Sequence, residues 1–132
     1  MTPEQLAKPG TEHAHQVAVF CWAASQMEAH PCLKWMYAVP NGGDRNPIVA
    51  ARLKAEGVKS GISDICLPFA RQGYSGGYIE MKKPGGKESD NQKAFGAFLA
   101  TENYLYRCCL SWEEAVETIQ WYVGRERYTN DK

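Results

Sequence analysis

Gly61-Ile62-Ser63-Asp64-Ile65-Cys66-Leu67-Pro68-Phe69 is followed by the turn-rich Arg71-Gln72-Gly73-Tyr74-Ser75-Gly76 and then by Gly77-Tyr78-Ile79-Glu80-Met81-Lys82-Lys83. Two apolar runs around a Gly-rich segment predict a β-hairpin with a long loop. Asp64 opens the first arm. In the second arm the two-residue period of a strand sends Glu80 and Lys82 to one face and Ile79 and Met81 to the other. Acids on neighbouring strands repel unless a cation lies between them, and a hard divalent ion with oxygen ligands is the economical partner. Mg²⁺ held by one or two carboxylates keeps waters and takes phosphate oxygens. Lys82 beside it would orient or deprotonate an attacking water, or stabilise charge on the phosphate. These residues outline a metal-dependent phosphodiesterase.

Downstream, Lys83-Pro84-Gly85-Gly86-Lys87-Glu88 reads as a flexible basic loop. It lacks the ordered Gly-Lys-Ser/Thr of a nucleotide-binding loop, so no nucleotide cofactor is expected. Ser89-Asp90-Asn91-Gln92 has the capping-box form and starts a helix to about Glu102, with Phe95, Phe98 and Leu99 toward the core. Tyr104–Leu110 reads as a strand. Ser111 to Glu114 repeats the capping form and opens a helix to about Val123, with Ala115, Val116, Ile119, Tyr122 and Val123 as its stripe.

Upstream, residues 1–10 hold two prolines and a glycine and read as an irregular lead-in. Thr11 can cap a helix over about Glu12–Ala29, with Val17, Phe20, Cys21, Ala24 and Met27 as its stripe. Pro31 ends it, and Leu33–Val39 is a strand candidate. Pro40-Asn41-Gly42-Gly43 is a turn by composition; just before a basic helix, Asn41 and its amides could hold a phosphate. Asn46 caps a helix over Pro47–Glu56, with proline at its first position and Gly57 past its end. Arg45, Arg52, Lys54 and Lys59 project from this region and, with Lys83 and Lys87, are candidates for contacts to a DNA backbone.

At 132 residues the chain suits one domain, and its 44% hydrophobic and 23% charged content is that of a soluble globular protein. Lys plus Arg balance Asp plus Glu at 15 each, so any attraction for nucleic acid must come from charge distribution. Many bases do cluster between residues 45 and 93. Five cysteines form no C-x-x-C pair, and Cys66, Cys108 and Cys109 read as buried thiols, which points to a reducing, cytoplasmic compartment. His13 and His15 are two apart on divergent helix faces, with no cysteine at ligand spacing, which disfavours zinc. The start lacks a basic and apolar leader, and no apolar run reaches membrane-spanning length.

Ser63-Asp64 with Glu80-Met81-Lys82 resembles the PD-(D/E)xK nuclease signature. More narrowly, Pro40-Asn41-Gly42-Gly43, Gly61 to Asp64, Glu80 to Lys82 and Gln92 resemble the VRR-Nuc family, stand-alone viral or phage type, across about Glu12 to Trp121. The family usually has proline before the aspartate, where Ser63 stands here. The elements above fit an α/β domain with a central mixed sheet, since the hairpin gives an antiparallel pair and the helical crossover to Tyr104 allows a parallel one. The resemblance implies the same, as a restriction-endonuclease-like αβββαβ core with one helix inserted after the first strand and one added at the end. It implies a Mg²⁺- or Mn²⁺-dependent DNA endonuclease with Asp64, Glu80 and the Met81 carbonyl on the metal. Gln92 gains a site role that competes with its capping role, so that only one is expected to hold. Glu12 is either a solvated acid favouring its helix dipole or a third acid at the metal.

A small domain that cuts both strands of a duplex or junction needs two sites, most simply from a homodimer. Branched DNA, as for a Holliday-junction resolvase, is the expected substrate. The competing classes are a non-catalytic DNA-binding or assembly module with the same fold, and a hydrolase of small phosphate esters. Residues 1–132 are read as one nuclease-like domain, with 125–132 an irregular tail.

Overall fold

The computed structural model describes residues 1–40 and 46–124. Asn41 and Arg45, and the tail 125–132, lie outside them, so the expectations placed there have no structural counterpart. The elements run α1 (Pro3–Ala7), α2 (Glu12–Gln26), a 3₁₀ turn (Pro31–Trp35), β1 (Tyr37–Ala38), α3 (Pro47–Ala55), β2 (Ile65–Leu67), β3 (Gly76–Met81), α4 (Asp90–Thr101), β4 (Tyr104–Cys109) and α5 (Trp112–Val123). Among the described residues the strands form a four-stranded sheet in the order β1-β2-β3-β4. The β2–β3 pair is the expected antiparallel hairpin. The α4 crossover makes β3–β4 parallel, as a helical connection demands.

One face of the sheet is a dry core. Ile65, Leu67, Ile79, Met81 and Leu105 point into it and meet Val19 and Ala23 of α2 and Ala115, Ile119, Tyr122 and Val123 of α5. Tyr122 is fully buried, and its hydroxyl donates to the Phe69 carbonyl at 2.6 Å, so the phenol does not go unpaired.

Several expectations need correction. The lead-in is not wholly irregular: Thr2 and Gln5 form a reciprocal capping box that starts α1. Leu33–Val39 is not a strand over its length. Pro31 favours a helical first position, the segment turns as 3₁₀ to Trp35, and only Tyr37–Ala38 pairs with β2. The core stripe of α2 is Ala14, His15, Ala18, Val19 and Ala23, whereas Val17 and Met27 are exposed. Alanines let the helix approach closely, and His15 Nδ1 accepts from the Trp112 backbone N–H at 2.9 Å, tying α2 to the start of α5. Phe98 is exposed as well; Gly96 and Leu99 are the buried positions of α4. Cys66 and Cys109 are buried and Cys108 is half-buried, all five cysteines being free thiols. Among the described residues no helix is long and apolar enough to cross a membrane.

Candidate active site

The opposite face of the same strands carries the polar residues. Extending the Ile65–Ile79 pairing by one residue sets Asp64 opposite Glu80. Asp64 is fixed through both its main chain and its side chain. Its carbonyl accepts from the Val39 N–H at 2.7 Å, and Oδ2 accepts from the Met81 N–H at 2.7 Å. The Met81 backbone, expected beside the metal, is therefore already braced against one of the two acids.

Glu80 is only 1% exposed, an unusual position for a carboxylate. Its Oε2 accepts from Gln92 Nε2 at 2.8 Å and lies 3.8 Å from Lys82 Nζ. Among the described residues no donor reaches its Oε1, which is buried. Burial, and then the Asp64 carboxyl beside it, push the Glu80 carboxyl up to about 8, against the weaker pull of Lys82; Glu12 adds a small push in the same direction. An acid so destabilised in its charged form is waiting for either a proton or a cation.

Lys82 stands one residue past the end of β3, its N–H bonded to the Cys109 carbonyl at 2.9 Å, which continues the sheet far enough to keep it on the Glu80 face. Gln92 overturns the expectation that it serves either a cap or the site. Its Oε1 accepts from the Ser89 N–H at 2.7 Å while its Nε2 serves Glu80, so one amide does both. The two ends of a primary amide carry opposite polarity, which makes this division available to glutamine and closed to the Glu otherwise common in a capping box.

The outlying expectations fare differently. Glu12 is exposed in the first turn of α2 and within electrostatic reach of Glu80. Among the described residues, however, no three His, Cys, Asp or Glu side chains gather as a metal-holding group. Arg52, Lys54, Lys59, Lys83 and Lys87 are all exposed. Lys54 and Lys59 line a cleft of about 430 Å³ with Ala50, Leu53, Val58 and Ser60. The Ser60 hydroxyl accepts from Asn91 Nδ2 at 3.2 Å, which joins that basic edge to the start of α4, next to Gln92.

Sequence reasoning missed Tyr106 and Glu88. The Tyr106 hydroxyl donates to Glu88 Oε2. Burial and that neighbouring acid keep the phenol protonated well above its ordinary range. Tyr106 pairs with Tyr78 across the sheet, and Cys108 with Glu80, so all four share the polar face. The alternation of Tyr104, Tyr106 and Cys108 was the available signal.

A hard, oxygen-liking cation fits these donors: two carboxylates meet, and one of them has a buried oxygen without a donor among the described residues. Fold and site together define a mixed-sheet α/β domain of nuclease type, with two acids and a lysine where a hairpin meets a crossover helix. The family model for the VRR-NUC domain matches residues 10–112. The chain belongs to the VRR-NUC family, and its partner as a nuclease-type domain is DNA. A solved structure described as a VRR_NUC domain protein is 29% identical, covers 87% of this chain and 91% of its own, and superposes with a TM-score of 0.74. Comparison with curated proteins gives no match.

Proposed function

We propose that the chain is a Mg²⁺- or Mn²⁺-dependent DNA endonuclease that acts on branched DNA as a homodimer. The observation that carries this is Glu80: a carboxylate almost wholly buried beside Asp64, with one oxygen held by Gln92 and Lys82 and the other without a donor among the described residues. Folding in so costly a group makes sense where a divalent ion completes it. Asp64, Glu80 and the Met81 carbonyl would hold that ion, with Glu12 reaching it through water. A bound ion would neutralise the phosphate and the charge that develops on it during in-line attack.

The protein's own groups do the remaining work. Lys82 positions the attacking water and offsets negative charge near phosphorus. Gln92 fixes the orientation of the Glu80 carboxylate, and through its Ser89 bond it does so from the start of a helix. The exposed bases on α3 and on the loop after β3 supply phosphate contacts that position DNA without reading sequence. Since a single site cuts one strand, paired cuts across a junction call for the two sites of a dimer.

A gel assay with a four-way junction, a flap and a linear duplex tests the proposal, each with Mg²⁺, Mn²⁺ or chelator. Paired nicks in the junction, abolished by chelator and by Glu80→Gln, are expected. Equal cutting of all three substrates removes the branched-DNA assignment. If no substrate is cut with either ion, and Mn²⁺ titration shows no binding that depends on Asp64 and Glu80, the protein is a non-catalytic module.

A further inference from the structure

The loop Lys83–Glu88 leads from the lysine of the site to the helix that carries Gln92, and it is held at several points. Pro84 and Gly85 occupy the middle of a β-turn closed by the Gly86 N–H on the Lys83 carbonyl at 2.9 Å. Gly85 has φ 85°, the value that a type II turn asks of its third residue after proline. This turn folds back on the lysine. A Cβ placed on Gly86 would lie 3.2 Å from Lys82 Cβ and 3.6 Å from Lys82 Cδ, so bare glycine backbone packs along the lysine stem.

The far end of the loop is tied to β4, where Glu88 accepts from the Tyr106 hydroxyl. Tyr106 is in turn wedged under α4: a Cβ on Gly96 would come within 2.7 Å of two of its ring carbons. The result is a lysine with a side chain only 13% exposed, although it leaves the end of a strand beside a polar loop. A four-carbon stem with water around it samples many rotamers, whereas a walled stem holds its ammonium in one place.

We propose that Tyr106 is a positioning residue for the reaction: through Glu88 it keeps the Lys83–Glu88 loop against the stem of Lys82, and so fixes the Lys82 ammonium beside Glu80. Tyr106 and Glu88 do not themselves touch the reacting atoms. The catalytic part of this inference rests on the nuclease reading, whereas the structural part does not.

The test combines hydrogen exchange followed by mass spectrometry with cleavage kinetics on the preferred DNA substrate, for Tyr106→Phe, Glu88→Ala and Glu88→Gln. Comparing the two Glu88 variants cancels the loss of charge and isolates the hydrogen bond, because the amide oxygen introduced by Glu88→Gln still accepts the phenol proton. In Tyr106→Phe and Glu88→Ala, amides of 83–88 are expected to exchange faster. Their kcat is expected to fall on the order of tenfold, with KM for DNA within about twofold. Glu88→Gln is expected to match the wild type in both measurements. Unchanged exchange of 83–88 in Tyr106→Phe overturns the proposal, as does faster exchange with an undiminished kcat, or a Glu88→Gln protein as impaired as Glu88→Ala. If the wild type cuts no DNA, the nuclease reading fails alone, and the exchange measurement still decides whether the brace exists.

Discussion

The two faces of one sheet obey different rules. Toward α2 and α5, Ile65, Leu67, Ile79, Met81 and Leu105 give a dry interior, with side chains that have few rotamers and no polar atoms. Toward α4, Tyr78, Tyr106, Cys108, Asp64 and Glu80 project from the same strands, and most of these are bound to something particular. Alternation along a strand puts the two environments one residue apart: Ile79 and Glu80 are both essentially inaccessible to water, for opposite reasons. The first stabilises the fold by being there, and the second costs stability until something neutralises it. A domain of this size can carry so adverse a group only because the other face is complete.

The largest effect that separates the faces belongs to Glu80→Gln and Lys82→Ala. Each is expected to fold normally, by circular dichroism and thermal melting, and to lose cleavage on the order of 10³-fold. An active Lys82→Ala protein would move the water-positioning role to another group. On the dry face, Ile79→Ala is expected to destabilise by about 2–5 kcal/mol in urea titration. If it instead abolished cleavage in conditions where it remains folded, the division between the faces would be too simple.

The two environments also differ in their response to pH. The Glu80 carboxyl is raised from 4.5 to about 8 on folding, so between those values the native state holds a proton that the unfolded chain has released. Its contribution to stability is therefore fully present below pH 4.5 and is lost as pH rises through about 8. Urea titrations in chelator should show stability falling across that window, and Glu80→Gln should flatten the slope. A wild type whose stability rises over the same range would mean that Glu80 is charged in the metal-free fold. The smallest effect is expected far from either face. Ile48 on α3 is 73% exposed, and Ile48→Ser should change stability by no more than about 0.5 kcal/mol.

Local signals carried most of the architecture. The hairpin was readable because Gly-rich turn chemistry separates two apolar runs, and α4 and α5 because Ser89 and Ser111 announce their starts. The acids and the lysine were readable because chain spacing alone puts Glu80 and Lys82 on one face. What escaped depends on tertiary choices. The stripe of α2 was misplaced in part: Phe20 does pack against the core, but Val17 outweighs alanine in any hydrophobic count and is exposed, while Ala14, Ala18 and Ala23 are the residues that permit close packing. The double service of Gln92 could not be seen before Glu80 was placed within reach of its amide. Glu88 and Tyr106 are 18 residues apart in sequence, and nothing local in either predicts the other.

The ends of the sheet raise a separate matter, that of unwanted company. Among the described residues β1 and β4 each lack a neighbour on one side. Strand β1 offers a visiting chain a ladder of two residues, too short to zip onto. The longer β4 places the exposed Arg107 in its middle, with the guanidinium turned onto the Tyr106 carbonyl at 3.1 Å. A cation planted along an open margin discourages the edge-to-edge stacking from which fibrils grow.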